Sequence, residues 1–501
     1  MEFIHYFGEV FTPINFLILV GGTVGGLLLG ATPGLSPTMA VALLIPFTFQ
    51  MDPAASLILL GAVYTATVAG GAVSGILVNI PGAPANIATI MDGHPMAKQG
   101  RATEALHYCF ISSLIGGLIG VFLLIFFTPP LAELALKFGP AELFWISIFG
   151  VTIIASIGGG SVVKGLIAGA VGLWLSTIGY NPVLGEERFV FSEHLAGGIH
   201  VIAALIGLFA IPEVLSLVGS AGRSRARVQY AELSTHSVWR SIAYNIRRVK
   251  ALAIGSVVGS VIGVIPGAGG QIAGLVAYDQ TKKMSRDPSA FGKGEPDGVI
   301  AAESANNAMV GPSLVPLLTL GIPGSPTAAV LLGGLLINGL FPGPDLFSVH
   351  AQVTWTFIDS LLVGQVLMMI FGLMIARYSV FVTRIPKHMM AAAVIVLAVF
   401  GTFSVQNSVS DVVVMLILGV MMYFASRIGF SAAPLVLGLI LGQLTETNFL
   451  QGRMIAGDDA WTYFFDGPIN QIVIALCVLS IFYSVYNERK EIRRRREEAV
   501  A

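Results

Sequence analysis

From residue 14 to residue 486 the chain is a succession of apolar stretches, each long enough to cross a bilayer and nearly free of charge. A crossing needs about 20 apolar residues in a helix. Inside hydrocarbon every backbone N–H and C=O must find a partner within the protein, which leaves helices and closed barrels. Barrel strands alternate at every second residue, whereas these runs are apolar at every position, so helices are expected. Only 11% of the 501 residues are charged, against about 25% in a soluble domain. A formal net charge of −1 offers nothing to attract nucleic acid. Cys109 and Cys477 both lie in apolar runs and read as small core residues, not as a disulfide or metal pair. No basic region with a small-residue cleavage site precedes the first apolar run.

Lysine and arginine gather in a few connections. The strongest cluster is 223–250, with Arg223, Arg225, Arg227, Arg240, Arg247, Arg248 and Lys250; the tail from Arg489 to Arg496 is comparable. Lys98 and Arg101, Lys282, Lys283 and Arg286, and Arg384 and Lys387 form smaller groups. The positive-inside rule puts these connections and the C-terminus in the cytoplasm. Glu186-Glu187, Pro342 to Val349 and Asp458-Asp459 then face the other side. Segments near 105–128, 141–157, 162–180, 197–219, 353–380, 388–404, 408–425, 431–446 and 468–486 alternate sides without conflict. Two regions, 14–50 and 251–279, upset the pattern as straight crossings, and each carries a Pro-Gly break near its middle. Re-entrant hairpins satisfy the charge pattern, the first opening outward and the second to the cytoplasm.

The two regions are copies. Gly22, Gly26, Gly30, Pro33 and Gly34 match Gly255, Gly259, Gly263, Pro266 and Gly267, an offset of 233 (266 − 33). Further on, Ile80-Pro81-Gly82-Ala83-Pro84 matches Ile322-Pro323-Gly324-Ser325-Pro326, an offset of 242 (323 − 81). Glycine at every fourth position in a membrane helix normally means close helix packing. The Pro-Gly breaks say more. They free backbone groups where an unsatisfied one costs several kcal/mol, so protein, water or ligand must satisfy them. The opposite charge bias around the copies makes the repeat an inverted one, and paired broken segments in inverted repeats point to a secondary transporter's site near the midplane. Pro33-Gly34 and Pro266-Gly267 are then hairpin tips meeting head to head; Pro81-Gly82 and Pro323-Gly324 are breaks in the following helices. An amphipathic stretch precedes each copy: Phe3, Phe7, Val10, Phe11 and Ile14, then Trp239, Ile242, Ile246 and Val249. Both read as helices lying in the membrane interface.

The chain therefore reads as an all-α polytopic membrane protein. A first repeat fills 1–222, with a hairpin at 14–50 and a broken helix at 53–91. A basic linker and interfacial helix occupy 223–250. The second repeat spans 251–446, with a hairpin at 251–279 and a broken helix at 299–341. A last helix and basic tail fill 447–501.

Two long stretches carry a family resemblance. "YTATVAGGAVSGILVNIPGAPANIATIMDGHPMAKQGRATEAL" (64–106) and "FGKGEPDGVIAAESANNAMVGPSLVPLLTLGIPGSPTAAVLLGGLLINGLFPGP" (291–344) resemble the large membrane subunit of tripartite tricarboxylate transporters, the TctA family. The run Tyr64 to Gly71 is less glycine-rich than the resemblance leads one to expect. The resemblance implies an elevator-type secondary transporter that imports tricarboxylates or related carboxylates across a bacterial inner membrane and is not an enzyme. It implies two protein partners: a small membrane subunit of about four helices, and a periplasmic solute-binding protein. It implies coupling to Na+ or H+, Na+ favoured, with no other cofactor; no GxxxxGK[ST] phosphate loop occurs, "GGGSVVKG" (158–165) being the nearest approach. A membrane-embedded enzyme and a channel are the alternatives. No HExxH motif or Ser-His-Asp order supports the first; unsaturable flux without a delivered substrate is the mark of the second.

A carboxylate held in a membrane needs donors, and half-helix N-termini supply amides and partial positive charge without a mobile cation. The expected substrate-binding residues follow the breaks: Pro33, Gly34, Leu35, Ser36 and Thr38; Asn79, Pro81, Gly82 and Asn86; Pro266, Gly267, Ala268, Gly269, Gly270 and Gln271; Pro323, Gly324, Ser325 and Thr327. Asn306 and Asn307 join them as a buried amide pair, at the positions matching Tyr64 and Thr65. Carbonyls of Thr32, Asn79, Ile265 and Gly321, at half-helix ends, are the expected Na+ ligands. Glu303 is expected at the interface, a proton site being the alternative, and Asp359 and Asp411 near helix starts, where a carboxylate meets the dipole favourably.

Overall fold

The computed structural model describes residues 5–157, 161–181, 185–221, 236–265, 269–376 and 387–500. Nine helices among the described residues are long and apolar enough to cross a membrane, and the chain is a multi-pass membrane protein built from helices. One small departure from the all-helical expectation is a two-residue ladder, Gly179–Tyr180 against Glu187–Arg188. Arg188 in that ladder donates to Glu446 at 2.9 Å, tying the connection to a distant helix.

Helix α1 (Pro13–Ala31) ends at Thr32 in extended backbone. Gly34 turns the chain at φ +90°, and Ser36 caps α2 (Pro37–Thr48) by accepting the Met39 N–H. Helix α3 (Pro53–Val78) starts on Asp52, which accepts the Ala54 N–H, and ends on Asn79 in left-handed backbone. Past Pro81-Gly82, a 3-10 turn at Pro84–Asn86 leads into α4 (Ile87–Lys98). Then come α5 (Ala102–Ala135), α6 (Pro140–Ile157), α7 (Val162–Ser176) and α8 (Val201–Ala221). The second half runs through α9 (Val238–Arg247), α10 (Val249–Val264), α11 (Gly269–Lys283), α12 (Pro296–Ala308), α13 (Val310–Leu320) and α14 (Pro326–Ile337). It closes with α15 (Ala351–Ala376), α16 (Lys387–Gln406), α17 (Val409–Arg427), α18 (Ala432–Ala456) and α19 (Pro468–Val500). Helix α18 runs past the expected boundary at 446 to Ala456.

The repeat recurs as a repeat of contacts. A Cβ added at Gly22, Gly26 or Gly30 of α1 would fall 3.2, 3.0 or 2.5 Å from the carbonyl oxygens of Leu59, Val63 and Thr67. At Gly255, Gly259 or Gly263 of α10 it would fall 2.5, 2.3 or 2.6 Å from those of Ala301, Ala305 and Met309. The glycines are 233 apart (255 − 22) and their partners 242 apart (301 − 59). Past each break the register persists: Gly82 N–H donates to the Gly71 carbonyl at 3.2 Å, and Gly324 N–H to that of Ser313 at 3.1 Å. Asn79 and Gly321 both take left-handed backbone, at φ 57° and 74°. The glycine rows thus serve close helix packing, since only a hydrogen fits between these backbones.

Three sequence expectations change. The segment 14–50 is an open elbow instead of a closed hairpin: α1 lies along α3, while α2 leans on α3, α8, α14 and α16 and barely touches α1. Helix α2 is buried all round, at Met39, Ala40, Val41, Ala42, Leu43 and Ile45, so one neighbour cannot cover it. Its counterpart α11 does lie along α10. The broken helix of the second half carries an extra interruption at Met309 between α12 and α13. Pro312 and Pro316 stand where α3 has Gly70 and Ser74, and a proline removes one ladder bond and crowds the carbonyl four residues back. The stretch before α1 is a five-residue 3-10 turn, Phe7–Phe11, with Val10 buried, and Phe3 lies outside the described residues. Of the two stretches expected at the interface, α9 is the one that forms an α-helix of several turns. It turns Trp239 and Ile246 outward and buries Ser241 and Asn245, whose side-chain amide donates to the Tyr108 carbonyl at 3.1 Å.

Candidate functional site

Past three of the Pro-Gly breaks the chain restarts its helical winding on a proline, where a missing N–H costs nothing and φ is already set. Ser36-Pro37 opens α2, Ser325-Pro326 opens α14, and Ala83-Pro84 opens the turn into α4. These three N-termini meet. With Tyr64, Val68 and Met309 they wall a cavity of about 60 Å³. Aligned peptide dipoles make each terminus partially positive.

Hydroxyls dress the walls. Thr38 and Thr327 pair through their Oγ1 atoms at 2.9 Å. The Tyr64 hydroxyl lies 2.8 Å from Ser325 Oγ and 3.3 Å from Ser313 Oγ. Ser325 Oγ also accepts the Ala328 N–H at 3.1 Å. Ser36 Oγ accepts the Met39 N–H at 3.3 Å and donates to Glu213 Oε1 at 2.7 Å. The position matching Tyr64 in the second half is Asn306 (306 − 64 = 242), and it reaches across in the same manner. Its Nδ2 donates to the Ala85 carbonyl at 3.1 Å, so each half completes the other's post-break turn. Partially positive termini and rotatable hydroxyls suit a small anion rich in acceptor oxygens.

Of the residues expected from sequence, Ser36, Thr38, Asn86, Ser325 and Thr327 line this cavity. Pro33, Gly34 and Leu35 form the elbow behind it; a Cβ on Gly34 would fall 2.8 Å from Leu217 Cδ2, not in the cavity. Gly82 and Gly324 are spacers, with Cβ positions 2.7 and 2.3 Å from the Gly30 and Gly263 carbonyl oxygens, and Pro81 and Pro323 sit beside them. Asn306 and Asn307 are buried on α12. Pro266, Gly267 and Ala268 lie outside the described residues, so the meeting of the two tips does too; Gly269, Gly270 and Gln271 begin α11. None of Thr32, Asn79, Ile265 and Gly321 lines the cavity, and the Thr32 carbonyl already accepts the Leu35 N–H at 3.3 Å. A larger hollow of about 520 Å³ opens between Ile125–Leu136 and Pro344–Trp355, but no break residue lines it and its walls are mostly apolar.

Acidic residues depart most from expectation. Glu303 is fully buried instead of interfacial: Thr89 donates to its Oε1, and Ser113 to its Oε2 at 3.2 Å. Asp359 is buried two turns inside α15 with neither oxygen partnered, so no helix N-terminus holds it. Asp411 is placed as expected, in the first turn of α17 beside its Ser408 cap. Sequence reasoning missed Tyr64 as a cavity residue, although the 242 offset marks it as the twin of Asn306. It missed Glu213 as well, whose signal is being the lone charge in 201–219.

Residues 16–437, a span containing every break and the cavity, match the tripartite tricarboxylate transporter TctA family. The chain belongs to that family. A TctA chain is part of a tricarboxylate transport system, and transport is the setting in which the cavity is read. Among its relatives is an uncharacterized 52.8 kDa protein in the TAR-I ttuC' 3' region of Agrobacterium vitis, 34% identical over 492 residues, covering 97% of each chain. A second Agrobacterium vitis protein, in the TAR-II ttuC' 3' region, is 35% identical over 238 residues, 47% of this chain and 98% of its own.

Proposed function

We propose that this TctA protein is the large membrane subunit of a binding-protein-dependent secondary transporter that imports tricarboxylates or related carboxylates, driven by a cation gradient with Na+ favoured. The observation that carries the reading is the cavity where two proline-started helix N-termini and a proline-started 3-10 turn converge among hydroxyls. A carboxylate gains there what water would otherwise give it, without an arginine that would hold it too firmly to release. At about 60 Å³ the cavity is too small for a tricarboxylate, so binding requires its walls to part. The contact repeat supports an inverted-repeat transporter whose broken helices and arms slide against the remaining bundle. The partners are a small membrane subunit and a periplasmic solute-binding protein that selects the substrate, in the inner membrane of a bacterium with the C-terminus cytoplasmic. The test is reconstitution with candidate binding proteins, with uptake measured under imposed Na+ and pH gradients. Saturable uptake that needs a binding protein and a Na+ gradient is expected; uptake indifferent to both gradients refutes cation coupling.

A further inference from the structure

Three amide oxygens inside the helix bundle lack any donor: Oδ1 of Asn86, of Asn306 and of Asn307. All three side chains are fully buried. Each spends its Nδ2 on a carbonyl, that of Val68, Ala85 and Glu303 respectively, which fixes the oxygen end of each amide. One more buried acceptor, Glu303, stands beside them in the sequence and the fold. Glu303 precedes Asn306 and Asn307 by three and four positions, so all three share a face of α12. Asn86 and Thr89 flank the start of α4, and the side chains of Asn86, Thr89, Ser113 and Cys109 lie against the Glu303 carboxylate.

The donor count does not balance. The carboxylate accepts the Thr89 and Ser113 hydroxyls, with the Cys109 thiol and the Asn86 amide also against it, yet none of these carries positive charge, and no lysine, arginine or histidine among the described residues pairs with it. An isolated buried carboxylate in a membrane protein is costly, and unpartnered amide oxygens add to the cost. A proton on Glu303 would supply one donor for one of these oxygens and leave the others orphaned. A hard monovalent cation takes several oxygens at once and cancels the charge as well.

We propose that Glu303 and the amide oxygens of Asn86, Asn306 and Asn307 form a Na+ site. The inference deepens the cation coupling of the preceding section and rests on it. Its position links ion to substrate. Asn86 also lines the hydroxyl cavity, and Asn306 Oδ1 lies where a Cβ on Gly274 of α11 would come within 2.9 Å. Na+ thus orders the wall of the substrate cavity and the foot of α11, the arm that folds back on α10.

The test titrates purified full-length protein in detergent with NaCl against KCl at constant ionic strength and follows the melting temperature, since a ligand of the folded state raises it by mass action. The wild type is expected to respond saturably to Na+ and not to K+. Glu303→Gln and Asn307→Ala should raise the half-saturating Na+ concentration by at least about tenfold, because a charged or oxygen ligand is lost. Asp411→Asn, which removes a carboxylate elsewhere, should follow the wild type. Unchanged Na+ dependence in Glu303→Gln and Asn307→Ala overturns the site. So does a wild type that responds to pH through Glu303 and not to Na+. Proteoliposome uptake separates the two levels. Na+-driven uptake that persists unchanged in both variants removes this site and leaves the coupling, whereas wild-type uptake indifferent to Na+ removes Na+ coupling itself.

Discussion

The two halves of the molecule keep the same contact register and hold their arms differently. In the first, α3 is one continuous helix of 26 residues and the arm α2 reaches away to α8 and α16. In the second, α12 and α13 are separated at Met309 and the arm α11 folds back on α10. Yet the glycine contacts, the left-handed caps and the hydrogen bonds from Gly82 and Gly324 agree position for position. The packed rows are what the repeat holds constant, and the arms are free to differ. Two conformations of one motif within a single chain are what a protein needs if it is to exchange them.

The largest effect is expected at the first elbow. Gly34→Val places a branched side chain at φ +90° and against Leu217, adding about 1–3 kcal/mol of strain. Folded, monodisperse protein with uptake at background is the expected outcome, and Leu217→Ala alone should retain uptake. Near-normal uptake in Gly34→Val would reduce the elbow to a plain turn and remove the functional side of the comparison.

Next come the glycine rows, which should be unequal. A Cβ at Gly259 meets the Ala305 carbonyl oxygen at 2.3 Å, whereas at Gly26 the nearest atom is the Ala66 methyl at 2.9 Å. Overpacking costs about 1–3 kcal/mol, and more where backbone must move. Gly259→Ala should therefore lose more folded protein than Gly26→Ala, as read by yield and thermal melting. Equal losses would mean that the rows are interchangeable and the second half is not the tighter one.

The smallest effects belong to the crossing contacts. Tyr64→Phe deletes the hydroxyl's bonds to Ser325 and Ser313, and Asn306→Ala deletes the one to the Ala85 carbonyl, each worth about 0.5–1.5 kcal/mol. Uptake affinity should fall by about threefold to tenfold in Tyr64→Phe. Asn306→Ala should show a similar fall plus the weakened Na+ response described above. If Tyr64→Phe also shifts the Na+ dependence, the twin positions share a role that the geometry divides.

Much of this was legible in the residues. Continuous apolar runs gave the helices, and the offsets of 233 and 242 predicted contacts that the structure repeats residue by residue. The breaks pointed to Ser36, Thr38, Asn86, Ser325 and Thr327, because a chain that frees backbone groups in a membrane must place polar atoms nearby. The arms were not legible. Whether α2 folds back or reaches outward depends on which neighbours cover an all-round apolar helix, and no local pattern encodes that. Glu303 was misplaced at the interface because its two hydroxyl partners, Thr89 and Ser113, come from distant sequence. Gly82 and Gly324 were credited with touching substrate when they admit backbone to backbone, and Gly34 turns the elbow beside the Leu217 side chain.

The crossed contacts also constrain how the protein is made. Tyr64 completes its hydrogen bonds on Ser313 and Ser325, and the turn at Ala85 waits for Asn306, so each half is finished by residues of the other. A ribosome releases the first half long before residue 325 is synthesised. Until then a phenol and an elbow of open backbone stand in the bilayer without their partners, where each unsatisfied group costs several kcal/mol. The nascent first half is thus an obligate waiting state, exposed to quality-control proteases for as long as translation of the second takes. Slowing synthesis between residues 100 and 300 should lower yield more than slowing it after α14.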